Sequence, residues 1–456
     1  MAKYTTINPA TGELIQEFNT VADAAAREAV AASATAYQHW RDGGIDVRSA
    51  VLQRVADALR AQSDELAELM TLEVGKPIGQ ALAEVALSAS IFEYYATTGP
   101  DLIADEELDI AGEGRAVVRT APIGPLLGIM PWNFPLYQAA RFIAPNLLLG
   151  NTVLLKHASN CPQQAIRIEQ VITEAGAPAG VYQNLLISGA QASALVDDPR
   201  IQGVSLTGSE RAGTAVGEAA GRNLKKCVLE LGGSDPFLVL PGADVARAVR
   251  AAVPGRFWNA GQTCTSSKRF IIHSSLWNAF VEQFLSEATS WPAGDPTMSD
   301  TKLGPMASVS GRDEVAEQVD DAVAKGAVVH LGGKVPNGPG AYYPATVLSA
   351  VTPDMRAYYE ELFGPVAVLH KVDSVDEAIA LANDTPFGLG SAVFTEDDEL
   401  AQQVVDRLDV GMVGINATVK SAPDLPFGGV KSSGIGRELG RFGLDEFSNK
   451  KLIRSF

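Results

Sequence analysis

The sequence predicts an α/β fold built on parallel sheets, and three features of the chain point to it. From residue 123 onward, short apolar runs alternate with helical segments, the pattern of buried strands joined by crossover helices. A second alternating set follows further along the chain. The stretch 21–98, ahead of both, reads as helix throughout. At roughly 150 residues per domain, the chain has room for about three domains.

In chain order, ADAAAREAVAASATAYQHW and VRSAVLQRVADALRAQSDELAELMTLEVG carry Ala, Leu, Glu and Arg at three-to-four spacing, the period of a helix. GEGRAVVRTAP then reads as an exposed, extended element. PLLGIMPW, TVLLK, YQNLLIS and GVSLTG read as buried strands, with CPQQAIRIEQVITEAG, AQASALVDD and SERAGTAVGEAAG as the helices between them. Ligands of such a sheet lie at the carboxyl ends of its strands, here near Trp132 and Asn133, Lys156, and Thr207 and Gly208. KKCVLEL and PFLVL open the second set, which runs through DVARAVRAAVPGRFWNAGQ and KRFIIH to GMVGIN. No internal repeat or low-complexity tract interrupts it.

Composition narrows the function classes. With 46% hydrophobic and 20% charged residues the chain has the make-up of a globular protein, not a disordered one. A net charge of −18 with no basic run argues against nucleic acid and against an anionic membrane as partners. MAKYTTINPATGEL lacks the basic start and apolar core of a signal peptide. The longest uncharged run, Thr120 to Ala140, carries Pro122, Pro125, Pro131 and Pro135 and is expected to be interior loop and strand, not a membrane helix. Three cysteines, at 161, 227 and 264, give no disulfide framework and fit a reducing cytoplasm. The five histidines show no metal-ligand spacing, so no metal is expected.

Several residues could carry chemistry. Cys264, in GQTCTSSKR, follows a glycine turn and precedes Lys268 and Arg269, whose charge favours a thiolate; a buried, inert cysteine is the alternative. Glu230 ends an apolar run ahead of Gly232 and Gly233, and is either an ion-pair partner or a base of raised pKa. Asn133, in MPWNFP, offers an uncharged amide donor to an oxyanion, or else caps the helix after Pro135. Lys156, at a strand end, suits a ribose or phosphate, and Gly208 and Ser209 open the next strand-to-helix turn, where backbone N–H groups can meet pyrophosphate. The fingerprint G-x-G-x-x-G is absent; SGIGRELG imitates it but follows no buried strand. Arg141 is the only charged residue between Arg119 and Lys156, so its partner is either a fixed carboxylate of the chain or a substrate.

Taken together, PWNFP at 131–135, LELGG at 229–233, GQTCTSSKR at 261–269, ELFGPV at 361–366 and PFGGVKSSGIGRE at 426–438 resemble, in order and spacing, the aldehyde dehydrogenase superfamily over nearly the whole chain. The resemblance implies a doubly wound cofactor domain (1–111 and 123–230), an α/β catalytic domain (231–438) and a small β oligomerisation element (112–122 and 439–456) in a homodimer or homotetramer. It implies Cys264 as nucleophile, Glu230 as base, and Asn133 with the Cys264 backbone N–H as oxyanion donors. Trp132, Lys156, Ser159, Gly208, Ser209, Leu231, Glu361 and Phe363 match cofactor-binding positions. Within the superfamily the chain resembles the shorter succinate-semialdehyde dehydrogenases, which points to Arg141 and Ser421 for a substrate carboxylate.

Two positions refine this expectation. Ser159 stands where many NAD-preferring members have Glu; Ser leaves space for a 2′-phosphate and can donate to it, which favours NADP with NAD still possible. Ser266 replaces the second cysteine that forms a redox switch in some relatives, so no local disulfide can form. A broad-specificity aldehyde dehydrogenase, a CoA-acylating one and a non-catalytic binding protein are the alternatives. Glu230 speaks against CoA release, which needs no hydrolytic base.

Overall fold

The structure, a computed structural model, describes residues 3–456; Met1 and Ala2, the start of the expected segment 1–111, lie outside the described residues. The predicted helical stretch forms Asp23–Asp42, Ile45–Ala61, Ser63–Val74 and Ile78–Thr97. In the second of these, Val51, Leu52, Val55, Ala56 and Leu59 make the buried stripe that the helical period dictates.

Two parallel sheets follow. The first runs, edge to edge, Gly434–Ile435, Lys226–Glu230, Gly203–Thr207, Pro125–Ile129, Thr152–Lys156 and Tyr182–Asn184. Only its first pair is antiparallel. Leu126, Leu127, Val153, Leu154 and Val204 are fully buried, as strands covered by helices on both faces require. The second runs Val328–Leu331, Thr346–Ser349, Val366–Val372, Ser267–His273, Asp235–Val239, Gly390–Phe394 and Met412–Ile415, again with one antiparallel edge pair. In its core Phe237 stacks on Phe394 with ring centroids 4.6 Å apart.

Three expectations are corrected. KKCVLEL does not open the second sheet: Lys226–Glu230 pairs in parallel with Gly203–Thr207 and belongs to the first. GEGRAVVRTAP is not simply exposed, because Arg115–Pro122 is the central strand between Glu106–Leu108 and Ser448–Ser455, with Ala116 and Val117 buried. The third strand of that sheet is Glu106–Leu108. The uncharged run 120–140 supplies, besides loop and strand, the first turns of the helix Pro135–Leu149. Among the described residues no helix is long and apolar enough to cross a membrane. SGIGRELG contributes Gly434–Ile435, an antiparallel edge strand against Leu229 and Glu230, as suits a segment that is not a phosphate loop.

One short link positions everything that follows. Glu230 ends a strand of the first sheet, and Asp235 starts a strand of the second, with only Leu231–Ser234 between them. Asp235 pairs with Ser267, which follows the Cys264 loop. The carboxyl ends of the first sheet's strands therefore face the amino ends of the second's, and Cys264 and Glu230 come from opposite sides of that junction.

Candidate active site

The Cys264 loop is held by backbone strain and buried amides. Asn259, Ala260 and Gly261 have φ of 53°, 53° and 71°, a left-handed turn that a non-glycine residue adopts only when its surroundings impose it. Here they do: Gln80 Oε1 accepts the Asn259 N–H at 2.8 Å, and Gln262 Nε2 donates to the Asn259 carbonyl at 3.0 Å. A Cβ on Gly261 would lie 2.3 Å from the Gly364 carbonyl oxygen, so only glycine fits. Arg256, fully buried, donates to the Ser266 hydroxyl and to the carbonyls of Leu362 and Gly364, clamping this loop to the segment that carries Glu361 and Phe363. Burial pushes the Cys264 thiol up to about 12; Arg141 and Lys268 oppose that shift, and Glu230 and Glu361 reinforce it. Of the other cysteines, Cys161 is buried and its thiol raised by burial, and Cys227 is pushed up to about 11 for the same reason.

Asn133 does not cap the following helix, whose N-cap is Phe134 without a side-chain bond. Its side-chain amide instead donates to the Gln262 carbonyl at 3.0 Å and accepts from Gln138 Nε2 at 3.1 Å, which fixes the amide orientation and leaves one N–H for a ligand. Its main-chain carbonyl accepts from Lys76 Nζ at 2.8 Å and Asn259 Nδ2 at 2.9 Å. Lys76 in turn is paired with the buried Glu84, and Glu84 Oε1 accepts the N–H groups of Leu136 and Tyr137 at 3.0 Å each, taking the cap role at the start of that helix.

Glu230 is 2% exposed, and neither carboxylate oxygen has a hydrogen-bond partner among the described residues. Among the described residues it makes no ion pair. Burial raises its pKa well above the usual carboxylate range; Arg141 pulls the other way and Glu438 adds to the rise. For Arg141 the structure supplies the internal one of the two partners left open: its guanidinium is ion-paired with the buried Glu438. It also reaches the Tyr137 hydroxyl at 3.4 Å and Thr207 Oγ1 at 3.2 Å. The Tyr137 hydroxyl donates to Ser421 Oγ at 2.7 Å, which brings Ser421 to the same wall of the site as Arg141.

The residues expected to hold a dinucleotide lie at and beyond the strand ends. Lys156 ends one strand and Thr207 another, followed by Gly208 and then Ser209, the N-cap of the helix Glu210–Arg222. A Cβ on Gly208 would meet nothing closer than 3.6 Å, so the chain's own packing does not demand glycine there and the space is open to a ligand. Ser159 is exposed in the turn beyond Lys156. Leu231 is buried beside the strand end, and a Cβ on Gly232 would lie 2.6 Å from Glu361 Oε2, so the glycine admits that carboxylate. Trp132 and Phe363 meet edge to face with centroids 5.8 Å apart. The donors, the open glycine and the flanking aromatics fit a nicotinamide dinucleotide. Among the described residues no cluster of acidic, histidine or cysteine side chains could hold a metal ion.

Sequence reasoning missed Tyr137, Gln262, Asn259, Glu438 and the Lys76–Glu84 pair. Most of their partners lie in segments distant in the chain, which the local sequence does not record.

The family model described as "Aldehyde dehydrogenase family" matches residues 2–453. The chain is 49% identical over 453 residues to the succinate-semialdehyde dehydrogenase [NADP(+)] of Deinococcus radiodurans, covering 99% of this chain and 95% of that one. It is 47% identical over 451 residues to succinate-semialdehyde dehydrogenase [NADP(+)] 1 of Mycobacterium ulcerans, covering 98% of each. Its fold superposes with a TM-score of 0.96 on the crystal structure of succinic semialdehyde dehydrogenase from Streptococcus pyogenes in complex with NADP+, at 40% identity and 99% coverage of both chains. A match of this extent, over a fold in which cysteine, amide and carboxyl converge as described, establishes that the chain belongs to the aldehyde dehydrogenase family.

Proposed function

We propose that the protein oxidises succinic semialdehyde, or a closely related short carboxylated aldehyde, to the acid with NADP, NAD serving less well. The observation that carries this reading is the convergence at one junction of a cysteine flanked by two buried cations, an oriented amide and an unpartnered buried carboxyl. Relatives of 46–49% identity that bear the name succinate-semialdehyde dehydrogenase [NADP(+)] support the substrate and cofactor.

Cys264 attacks the aldehyde carbon as thiolate, and the oxyanion that forms is held by the free N–H of Asn133 and the Cys264 backbone N–H. NADP, when bound, supplies the hydride acceptor. Lys156 and Ser159 would hold its 2′-phosphate end, Gly208 and Ser209 its pyrophosphate, Glu361 its nicotinamide ribose, and Trp132, Leu231 and Phe363 its ring end. Glu230 then takes a proton from the water that hydrolyses the Cys264 thioester; its raised proton affinity suits a base that must accept that proton near neutral pH. For the far carboxylate, Ser421, Tyr137 and the Arg141 terminal nitrogen nearest Tyr137 form the donor set. Because Arg141 also neutralises Glu438, Ser421 is the cleaner probe.

A panel of aldehydes assayed with NADP and NAD tests the reading. Succinic semialdehyde with NADP should give the highest kcat/KM, and Ser421→Ala should lower it about tenfold, the effect of one hydrogen bond to a charged group. An uncharged aldehyde of equal length should lose far less. Equal losses, or a preference for uncharged aldehydes, would remove the carboxylate from the account.

The same reading makes the chain a homodimer or homotetramer of the cytoplasm, with cofactor-binding (1–111 and 123–230), catalytic (231–438) and oligomerisation (112–122 and 439–456) units. The sheet edge Ser448–Ser455, paired on one side only and bearing the exposed Leu452 near the exposed Phe456, supports the last of these.

A further inference from the structure

Lys268 takes no part in the reaction as written, yet it lies against the nucleophile's own main chain. Its side chain is 1% exposed. An ammonium has three N–H donors, and here they meet the carbonyls of Thr263 at 3.1 Å, Cys264 at 2.8 Å and Ser266 at 3.3 Å, with Glu361 Oε1 also at 3.3 Å. The same Glu361 oxygen accepts the Gly233 N–H at 3.0 Å. A Cβ on Gly233 would stand 2.6 Å from the Cys264 carbonyl oxygen, and one on Gly232 2.6 Å from Glu361 Oε2. The two glycines thus let the nucleophile's peptide and the carboxylate close in on one strand end. Capping the loop needs only the three carbonyls; the fourth partner comes from a distant segment. Lys268 also faces Asp235, whose carboxyl is pushed up to about 6 by burial against the pull of Lys268.

We propose that Lys268 is a positioning residue that couples cofactor seating to the readiness of Cys264, by tying the nucleophile's main chain to Glu361. The inference rests on the reading of Glu361 as a nicotinamide-ribose residue. Ribose hydroxyls that bond Glu361 draw on the carboxylate that Lys268 now shares. The ammonium is then left more fully to the loop, and more positive potential reaches the thiol.

The test is the rate of Cys264 alkylation by iodoacetamide between pH 6 and 10, with and without NADPH, whose uncharged nicotinamide adds no cation of its own. In the wild-type enzyme NADPH should raise the rate at fixed pH about fivefold or more, the lower end of an ordinary coupling between two sites, by moving the alkaline rise to lower pH. Lys268→Met should abolish that displacement, and Lys268→Arg should restore part of it. A wild-type enzyme with no displacement, or Lys268→Met with a full one, overturns the inference. Should the lysine variants not fold, Glu361→Gln decides, since a full displacement there overturns it equally. Fluorescence titration of Glu361→Gln with NADPH separates the two claims. Unchanged affinity means the ribose reading of Glu361 has failed; weakened affinity with a full displacement in Lys268→Met means only the coupling has.

Discussion

At Cys264 burial and charge act in opposition, and burial wins. With the thiol pushed up to about 12, the free enzyme holds little thiolate at neutral pH. Alkylation of the free enzyme should therefore rise about tenfold per pH unit between pH 7 and 9, as thiolate does far below its pKa. A plateau below pH 8 would mean that Arg141 and Lys268 outweigh burial. Taken singly, Cys264, Glu230 and Asn133 each had a structural alternative in the sequence, and only the order and spacing of the surrounding motifs singled them out. The environment of each was not legible. Whether Glu230 stands free or paired depends on Glu438, which takes Arg141 for itself and leaves Glu230 with neither ion pair nor hydrogen bond. Such choices are made by segments far apart in the chain.

The helix Pro135–Leu149 shows how an element serves the site. Its first turn exposes unbonded N–H groups, and the pair Lys76–Glu84, from the stretch that reads only as helix, satisfies two of them while gripping the Asn133 carbonyl. Removing one partner of a buried ion pair typically costs about 3–5 kcal/mol, because the other charge is left uncompensated. Glu84→Gln should therefore lower unfolding free energy by an amount of that order, read by denaturant titration, and lower kcat through a loosened Asn133. Stability and kcat both unchanged would show that the helix start needs no such anchor. The strands of the first sheet were readable from their apolar runs, since parallel strands are buried on both faces. Lys226–Glu230 was grouped with the wrong sheet because a strand's sequence records that it is buried but not which neighbour it pairs with.

At the scale of the molecule, two sheets meet carboxyl ends to amino ends across the four-residue link Leu231–Ser234, and the proposed reaction sits at that seam. Alternation of strands and helices forecast the parallel sheets; the seam itself came only with the structure, because it depends on the path between sheets. The strand Ser448–Ser455 pairs with Arg115–Pro122 on one side and has a free edge on the other. Leu452→Asp should therefore shift the assembly towards monomer in sedimentation equilibrium, and a native assembly that is already monomeric would contradict the oligomer. In the proposed reaction Cys264 carries the acyl group of a carboxylated aldehyde until Glu230 directs water to it. The most direct measurement is the intact and peptide mass of Glu230→Gln after one turnover with succinic semialdehyde and NADP. A burst of NADPH near one per active site is expected, with a succinyl group retained on the peptide that contains Cys264. NADPH formed at the wild-type steady rate, with Cys264 unmodified, would contradict it.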